Sequence, residues 1–443
     1  MVGLKACRKI SQRPAKMIAA DQTQSWIDQH SAVVSIEADW LNTAREKALS
    51  HFEEVGLPGI RDEQWRYTNL RALKSHNYSV AESRELLVEL PTSDNPRLVF
   101  VDGILNTEHS TALNVDGVST LSSALKTHNS LVEAHFGQAL PKEQHGFTAL
   151  NTAYAQDGFV VQIGNNANLV DVLEVFFVSQ SPETVSHTRN LIICAANTKC
   201  TVVERHIGNA DAIYLSNSVT EIFANDNAHV DHYKIQQESD EAFHIGGVFI
   251  NQQSSSNVKS HSIALSGLVT RNDVNTNLLG EGAHMEMNGL VLGSGRQHID
   301  NHTEVNHVVP NCTSDEYYKT ILDDKSRSVF RGRIIVAEDA QLTNADQQNN
   351  NLLLSRHAES DSKPQLEIYA DDVKCSHGCT VGQLDASSLF YLKSRGIDAE
   401  SARGLLTFAF ANEVIDRIQV DSVKSELTKI IAGELLSGLE DLV

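Results

Sequence analysis

The order of apolar and polar residues divides the chain into three regimes. From Asp21 to about Leu73 the apolar residues Trp26, Ile27, Val33, Val34, Trp40, Leu41 and Ala44 recur at mixed three- and four-residue spacings, which predicts helices buried on one side. Leu57-Pro58-Gly59 interrupts that run. The charged segment from Arg61 to Thr68, which holds Trp65 and Tyr67, then reads as a helix-to-loop junction capping a neighbouring element. Between Pro91 and Leu140 the character is mixed. Leu98–Gly103 predicts a short buried strand with a turn, 119–138 a helical stretch, and Phe159–Ile163 a further strand.

Beyond this point the period changes. Short β-like runs follow one another at near-regular intervals: Leu173–Val178, Leu191–Cys194, Cys200–Glu204, Ser218–Phe223, His229–Ile235, Phe243–Ile250, Val258–Leu265 and Leu268–Val274. The series continues with His284–Leu292, His298–His307, Tyr317–Leu322, Val329–Val336 and Gln365–Tyr369. The turns between them, such as Asn225-Asp226-Asn227 and Gly293-Ser294-Gly295, are not the Asn-Gly or Asp-Gly pairs of two-residue hairpins. The stretch is also long for one sandwich. It predicts a parallel β-helix with a coil of roughly two dozen residues.

After Gln383 the helical period returns. Leu389, Phe390 and Leu392 precede Gly396, a glycine suited to end a helix. Asp398 is a good N-cap for a second helix carrying Ala402, Leu405, Leu406, Phe408, Ala409, Phe410, Val414 and Ile415. Asp421 or Ser422 would cap a third. The second helix is apolar around much of its girth, which predicts cover on two sides and makes a partner surface plausible, with Leu405, Leu406, Phe408 and Phe410 as candidate docking residues. The expected organisation is a basic, disordered extension over 1–20, a helical and mixed domain over 21–150, a β-helix core over 151–384 and a helical domain over 385–443.

Composition narrows the function. The 443 residues carry a formal charge of −21, which argues against nucleic acid as a partner. No apolar run approaches the roughly 20 residues that span a membrane. Six cysteines are too few for a disulfide scaffold in a chain of this length, so free thiols in a reducing cytoplasm are expected. No Gly-x-x-x-x-Gly-Lys-Ser/Thr phosphate loop occurs, so the chain is expected to have no nucleotide site of its own. Cys194 and Cys200 lie in apolar strands and read as core, and Cys312 sits in a turn. His298, Asp300, His302, Glu304 and His307 fit no zinc spacing and read as polar residues on one face of a coil.

The candidate chemistry sits where the β region meets the tail. Cys375, His377 and Cys379 occupy alternate positions in Lys374-Cys375-Ser376-His377-Gly378-Cys379, and an extended backbone sends alternate side chains to one face. Thiolate and imidazole suit iron, and a neutral imidazole holds it more loosely than a set made only of thiolates. Two such ligands roughly 6–7 Å apart along a strand can converge on a metal but cannot complete a four-ligand site alone.

The segment Asp371–Gly378, together with Leu389–Ile397, resembles the C-terminal signature of the SufD branch of the SufB/SufD family, scaffold components of the SUF iron–sulfur cluster assembly system. Supporting matches are His298-Ile299-Asp300-Asn301, Phe330-Arg331-Gly332-Arg333, Asn349–Ser355 and Trp65-Arg66-Tyr67-Thr68. The resemblance implies a right-handed parallel β-helix core flanked by N-terminal and C-terminal helical domains. It also implies a non-enzymatic subunit that pairs with a SufB-like paralogue and docks a SufC-like ABC ATPase through its tail, which hydrolyses the ATP. A transient iron–sulfur cluster, or iron, would form at the shared interface, with reduced flavin possible in the complex and a homodimer possible for the isolated chain. His377 matches the family histidine and Cys375 the adjacent cysteine. Cys379 stands where the family has a small residue such as alanine, so it reads as an extra ligand or as filler. The alternatives are a β-helix carbohydrate-active enzyme, which the 6% aromatic content disfavours, and a stand-alone metal-binding protein.

Overall fold

A computed structural model describes residues 23–30, 38–80, 85–210 and 212–436. The basic stretch 1–20 lies outside them. From Phe159 to Gly382 the chain winds into a parallel β-solenoid of about eight coils, each contributing one strand to each of two facing sheets. In sheet one the strands run from Phe159–Ile163 and Thr184–Cys194 to Arg327–Val336 and Glu359–Ile368. In sheet two they run from Leu173–Ser179 and Lys199–Gly208 to Asn344–Leu353 and Lys374–Gly382. The register Lys199↔His229↔Asn257↔His284↔Thr313↔Asn344↔Lys374 sets the coil at about 30 residues, longer than the expected two dozen. Most strands run to 10 residues, longer than many of the apolar runs that mark them in the sequence, such as Cys200–Glu204 and Ser218–Phe223.

Each coil turns a corner through a residue with positive φ. Asn166, Asn197, Asn227, Ser255, Gly282 and Asn311 occupy successive corners at φ between 55° and 76°. Asparagine tolerates this left-handed conformation, and the corners also stack. The Asn197 amide donates to Asn166 Oδ1 at 3.0 Å, and that of Asn227 to Asn197 Oδ1 at 2.9 Å.

Between the sheets, one half of the interior is apolar and shared by both, with Val202, Val230, Met285, Ile222, Ile250 and Ile334 all fully or almost fully buried. Each such side chain contributes about 1.5–3 kcal/mol relative to exposure. The other half is polar. Glu204 accepts from Thr220 Oγ1 at 2.6 Å and from His232 Nε2 at 3.0 Å, and Lys234 donates to Asn272 Oδ1 at 2.7 Å.

Buried titratable groups, in the bore and beneath the helices that cover the outer faces, tie stability to pH. Burial lowers His187 and His261 to about 3 and His206 and His307 to about 4, from 6.5. These imidazoles stay neutral when folded but take up protons in the unfolded chain, so stability is lost as pH falls through 6.5 toward the folded values. Burial also pushes Glu238 and Glu316 up to about 7, and those two carboxyls act in the opposite sense between 4.5 and 7. The four imidazoles outnumber them. Thermal unfolding followed by circular dichroism should therefore give a lower Tm at about pH 5 than at about pH 7.

The two ends of the solenoid differ. At the N-terminal end Arg97–Val101 adds a parallel rung beside Leu173–Ser179, and Val118–Thr120 pairs antiparallel with Phe159–Ile163. Leu98, Phe100, Ala112 and Val118 close the apolar bore. The helix Gly146–Tyr154 is buried along its whole length between the helix Asp39–Val55 and the outer face of sheet one. The junction around Trp65 caps that face as expected: the ring is 2% exposed, with the Arg271 guanidinium 4.2 Å from its centroid. No comparable plug covers the C-terminal end among the described residues. There Glu359–Ile368 and Lys374–Gly382 each pair on one side only.

The tail consists of helices Ala386–Ser394, Ala399–Ile415 and Asp421–Leu435. Asp385 caps the first by accepting from Ser388 N, and Asp398 caps the second by accepting from Glu400 N and Ser401 N. Neither Asp421 nor Ser422 caps the third: its N-cap is Val420, without a side-chain bond, and Asp421 is already in the first turn. The second and third helices lie on the outer face of sheet two, over Tyr233, Ile263, Leu290 and Ile321. Ion pairs fix their position, Arg205 to Glu426 at 2.7 Å and Arg417 to Asp315 at 2.6 Å.

Candidate functional site at the open end of the solenoid

The last strand, Lys374–Gly382, pairs with Asn344–Leu353 in a register that sets Cys375 beside Ala345, His377 beside Gln347 and Cys379 beside Asn349. Ala345, Gln347, Asn349 and Asn351 are all at most 3% exposed, because the strand alternates and these positions face inward. Cys375, His377 and Cys379 therefore continue the inward-facing column by one coil, and the alternation read from the sequence holds. They differ from the coil beneath in having nothing above them. Cys375 is half-buried against the apolar bore, while His377 and Cys379 are exposed.

The coil beneath is left incomplete. Gln347 Oε1, Asn349 Nδ2 and Asn351 Oδ1 are buried without a hydrogen-bond partner. Orphaned amide atoms of this kind cost about 1–3 kcal/mol each unless water or another chain reaches them. The outward side of the strand is satisfied: Ser376 Oγ donates to Asp346 and Thr380 Oγ1 to Asn350 Oδ1 at 2.8 Å. The end thus presents three soft donors, a row of unsatisfied amides and two free strand edges.

Burial raises the Cys375 thiol above its ordinary value, so at neutral pH it carries its proton until a metal displaces it. His377 adds an imidazole nitrogen, the second ligand type suited to iron. Among the described residues no group of three or more His, Cys, Asp or Glu side chains is arranged to hold a metal ion by itself.

The other sequence candidates separate. Cys194 and Cys200 are fully buried. Cys312 is also buried, with its thiol donating to Gly280 O at 3.3 Å. His298, Asp300, His302 and Glu304 share the outer face of sheet one, but His307 does not. It lies one residue out of phase, faces the interior and bonds to Ser314 Oγ at 3.0 Å.

The four apolar tail residues also divide. Phe408 is buried against sheet two, and Leu405 and Phe410 pack partly on the same cluster. Leu406 and Phe410 border a cleft of about 390 Å³ whose opposite wall includes Val381 and Gly382 of the last strand. The girth that predicted a partner surface is thus filled largely from within, by sheet two on one side and the third helix on the other. Phe408→Ala would cost about 3–5 kcal/mol of stability and so would be a poor probe of docking. The tail surface that stands free is the first helix. It has no buried residue, and Phe390 and Tyr391 are 74% and 57% exposed. The signal was a Leu-Phe-Tyr-Leu run too short to show which side faces a sheet.

Comparison with known proteins decides the family. The SufBD core domain of the SUF iron–sulfur cluster assembly system matches residues 176–410, and the SufBD protein N-terminal region matches 18–175. The chain belongs to the SufBD family. It is 32% identical to the iron–sulfur cluster assembly protein SufD of Escherichia coli over 410 residues, which is 88% of this chain and 93% of that protein. It is 31% identical to an iron–sulfur cluster assembly SufBD family protein of Synechocystis over 430 residues, 93% and 95% of the two chains. The SufD of Bacillus subtilis is 26% identical over 420 residues, 89% and 94%.

Proposed function

We propose that this SufBD protein is a non-enzymatic scaffold subunit that shares the assembly of an iron–sulfur cluster with a SufB-like paralogue. The observation that carries the reading is the open C-terminal end of the solenoid, where Cys375 and His377 stand between two free strand edges. Unpaired parallel edges are templates for a further strand, and a second solenoid with similar ends would complete both sheets. It would also cover the orphaned amides of Gln347, Asn349 and Asn351. Iron and sulfide are the cargo. His377 would offer one replaceable ligand and Cys375 a second after losing its proton, with the paralogue completing the set.

The ATP-hydrolysing partner is a SufC-like ATPase that docks on the tail. The exposed Phe390 and Tyr391, and the cleft bordered by Leu406 and Phe410, support that placement. The cleft runs to the strand carrying the candidate ligands, so movement of the docked ATPase would be felt at the cluster interface. Free thiols and the proposed cargo both fit a reducing cytoplasm.

The test is to co-express the chain with a SufB-like and a SufC-like partner, purify the complex and supply iron and sulfide without oxygen. A stable three-component complex that gains a cluster is expected. Absence of any stable complex with the ATPase would overturn the scaffold reading.

A further inference from the structure

Away from the open end, the segment around Glu63–Tyr67 crosses the outer face of sheet one and leaves a cleft of about 480 Å³ against three strands. The parallel register sets His302, Arg331 and Lys363 in one row across those strands. Two cations side by side in a sheet repel, so such a pair persists where an anion lies between them. In this structure the anion is Glu63. Lys363 Nζ donates to its Oε1 at 2.9 Å, and Arg331 Nη2 stands 3.8 Å from the same oxygen.

The carboxylates that line the cleft beside Glu63 are held by other cations. Asp300 is taken by Arg271 at 3.0 Å and His302 at 3.0 Å, and Asp361 by Arg327. Arg331 and Lys363 thus share a single carboxylate, that of Glu63. Arg331 is under-used: its Nε reaches Gln365 Oε1 only at 3.4 Å, and its Nη1 is buried without a partner. Glu63 sits on a three-residue 3-10 turn with a side chain 71% exposed, so it can swing out at little cost. Tyr67, 41% exposed, walls the same cleft.

We propose that this cleft binds a phosphate-class dianion held by Arg331 and Lys363, and that Glu63 is an internal stand-in which the ligand displaces. A tetrahedral dianion matches the demand better than one carboxylate. It can accept from the free guanidinium N–H and from the ammonium together, and its two charges match the two cations that otherwise share one carboxylate. The dianion can be free phosphate, or the phosphate of a nucleotide whose ring lies against Tyr67.

The test titrates the full chain with inorganic phosphate and, separately, with ADP, by calorimetry and phosphorus NMR. Saturable binding of at least one probe is expected. Arg331→Gln should weaken it about tenfold or more, as loss of a charge-assisted hydrogen bond implies. Glu63→Gln should tighten it several-fold, and Lys393→Gln on the tail should change nothing. Tyr67→Leu should weaken ADP alone if a nucleotide is the source, and neither probe if free phosphate is. Because Glu63 is exposed, Glu63→Gln remains informative even if Arg331→Gln lowers Tm. Failure of both probes to saturate, or binding that neither Arg331→Gln nor Glu63→Gln alters, would overturn the proposal.

Discussion

Replacing His377 by alanine should leave the protein folded and its complex intact, yet reduce cluster acquisition by about tenfold or more. His377 is exposed on the last strand. Substitutions at such surface positions usually change stability by less than about 0.5 kcal/mol, so Tm should not move. The chemical loss is larger, because the imidazole is the one nitrogen ligand on the strand that borders the open end. Cys375→Ser should have a smaller effect, since its thiol is raised by burial and has to be deprotonated first. Cys379→Ala should have the smallest, if the position only fills space. Iron and acid-labile sulfide per complex, read beside co-purification and a thermal melt, separate these cases. A collapse of Tm in His377→Ala would make the residue structural, and unchanged cluster content would remove it from the chemistry.

Much of the solenoid could be read from residues, for a physical reason. Where an inward-facing column is apolar, as at Val230 or Ile250, burial and alternation coincide and the strand announces itself. The strand Asn344–Leu353 was invisible because its inward positions are Gln347, Asn349 and Asn351. Those amides make sense only in three dimensions, one coil from an uncovered end and within reach of Glu316 on the neighbouring strand and Ser362 across the bore. Periodicity also sees only apolar centres, so it marks strands such as Lys199–Gly208 short of their full length.

The candidate site was legible to a different depth. The two-residue spacing of Cys375, His377 and Cys379 fixed their shared face, and the register confirms it. That the face is open could not be inferred, since it depends on the tail folding back over the outside of sheet two instead of plugging the bore. The same turn of the chain explains why Phe408 is buried and Phe390 is not. An apolar helix flanked by a sheet and a second helix looks, in sequence, like one awaiting a partner.

The free edge can be tested without touching a ligand. Val381→Pro should abolish pairing with the paralogue while leaving the isolated chain nearly as stable. In a parallel ladder successive residues direct their N–H groups to opposite sides. Lys374 N donates to Thr343 O at 2.9 Å, so Lys374 and, by alternation, the other even-numbered residues of this strand pair with the coil beneath. The N–H of Val381 then points to the open edge, where proline removes a donor that no neighbouring strand uses and sets its ring against an incoming strand. Thr380 precedes it in extended backbone, the conformation proline requires of its neighbour. Thr380→Pro is the control. It deletes an inward donor and should cost about 1–3 kcal/mol of stability in the isolated chain. Thermal melts and partner co-purification distinguish the two, and a Val381→Pro protein that still binds its paralogue normally would rule out edge pairing. Both Val381→Pro and His377→Ala should end with little cluster, but by separate routes: the first because the interface never forms, the second because it forms without its nitrogen ligand.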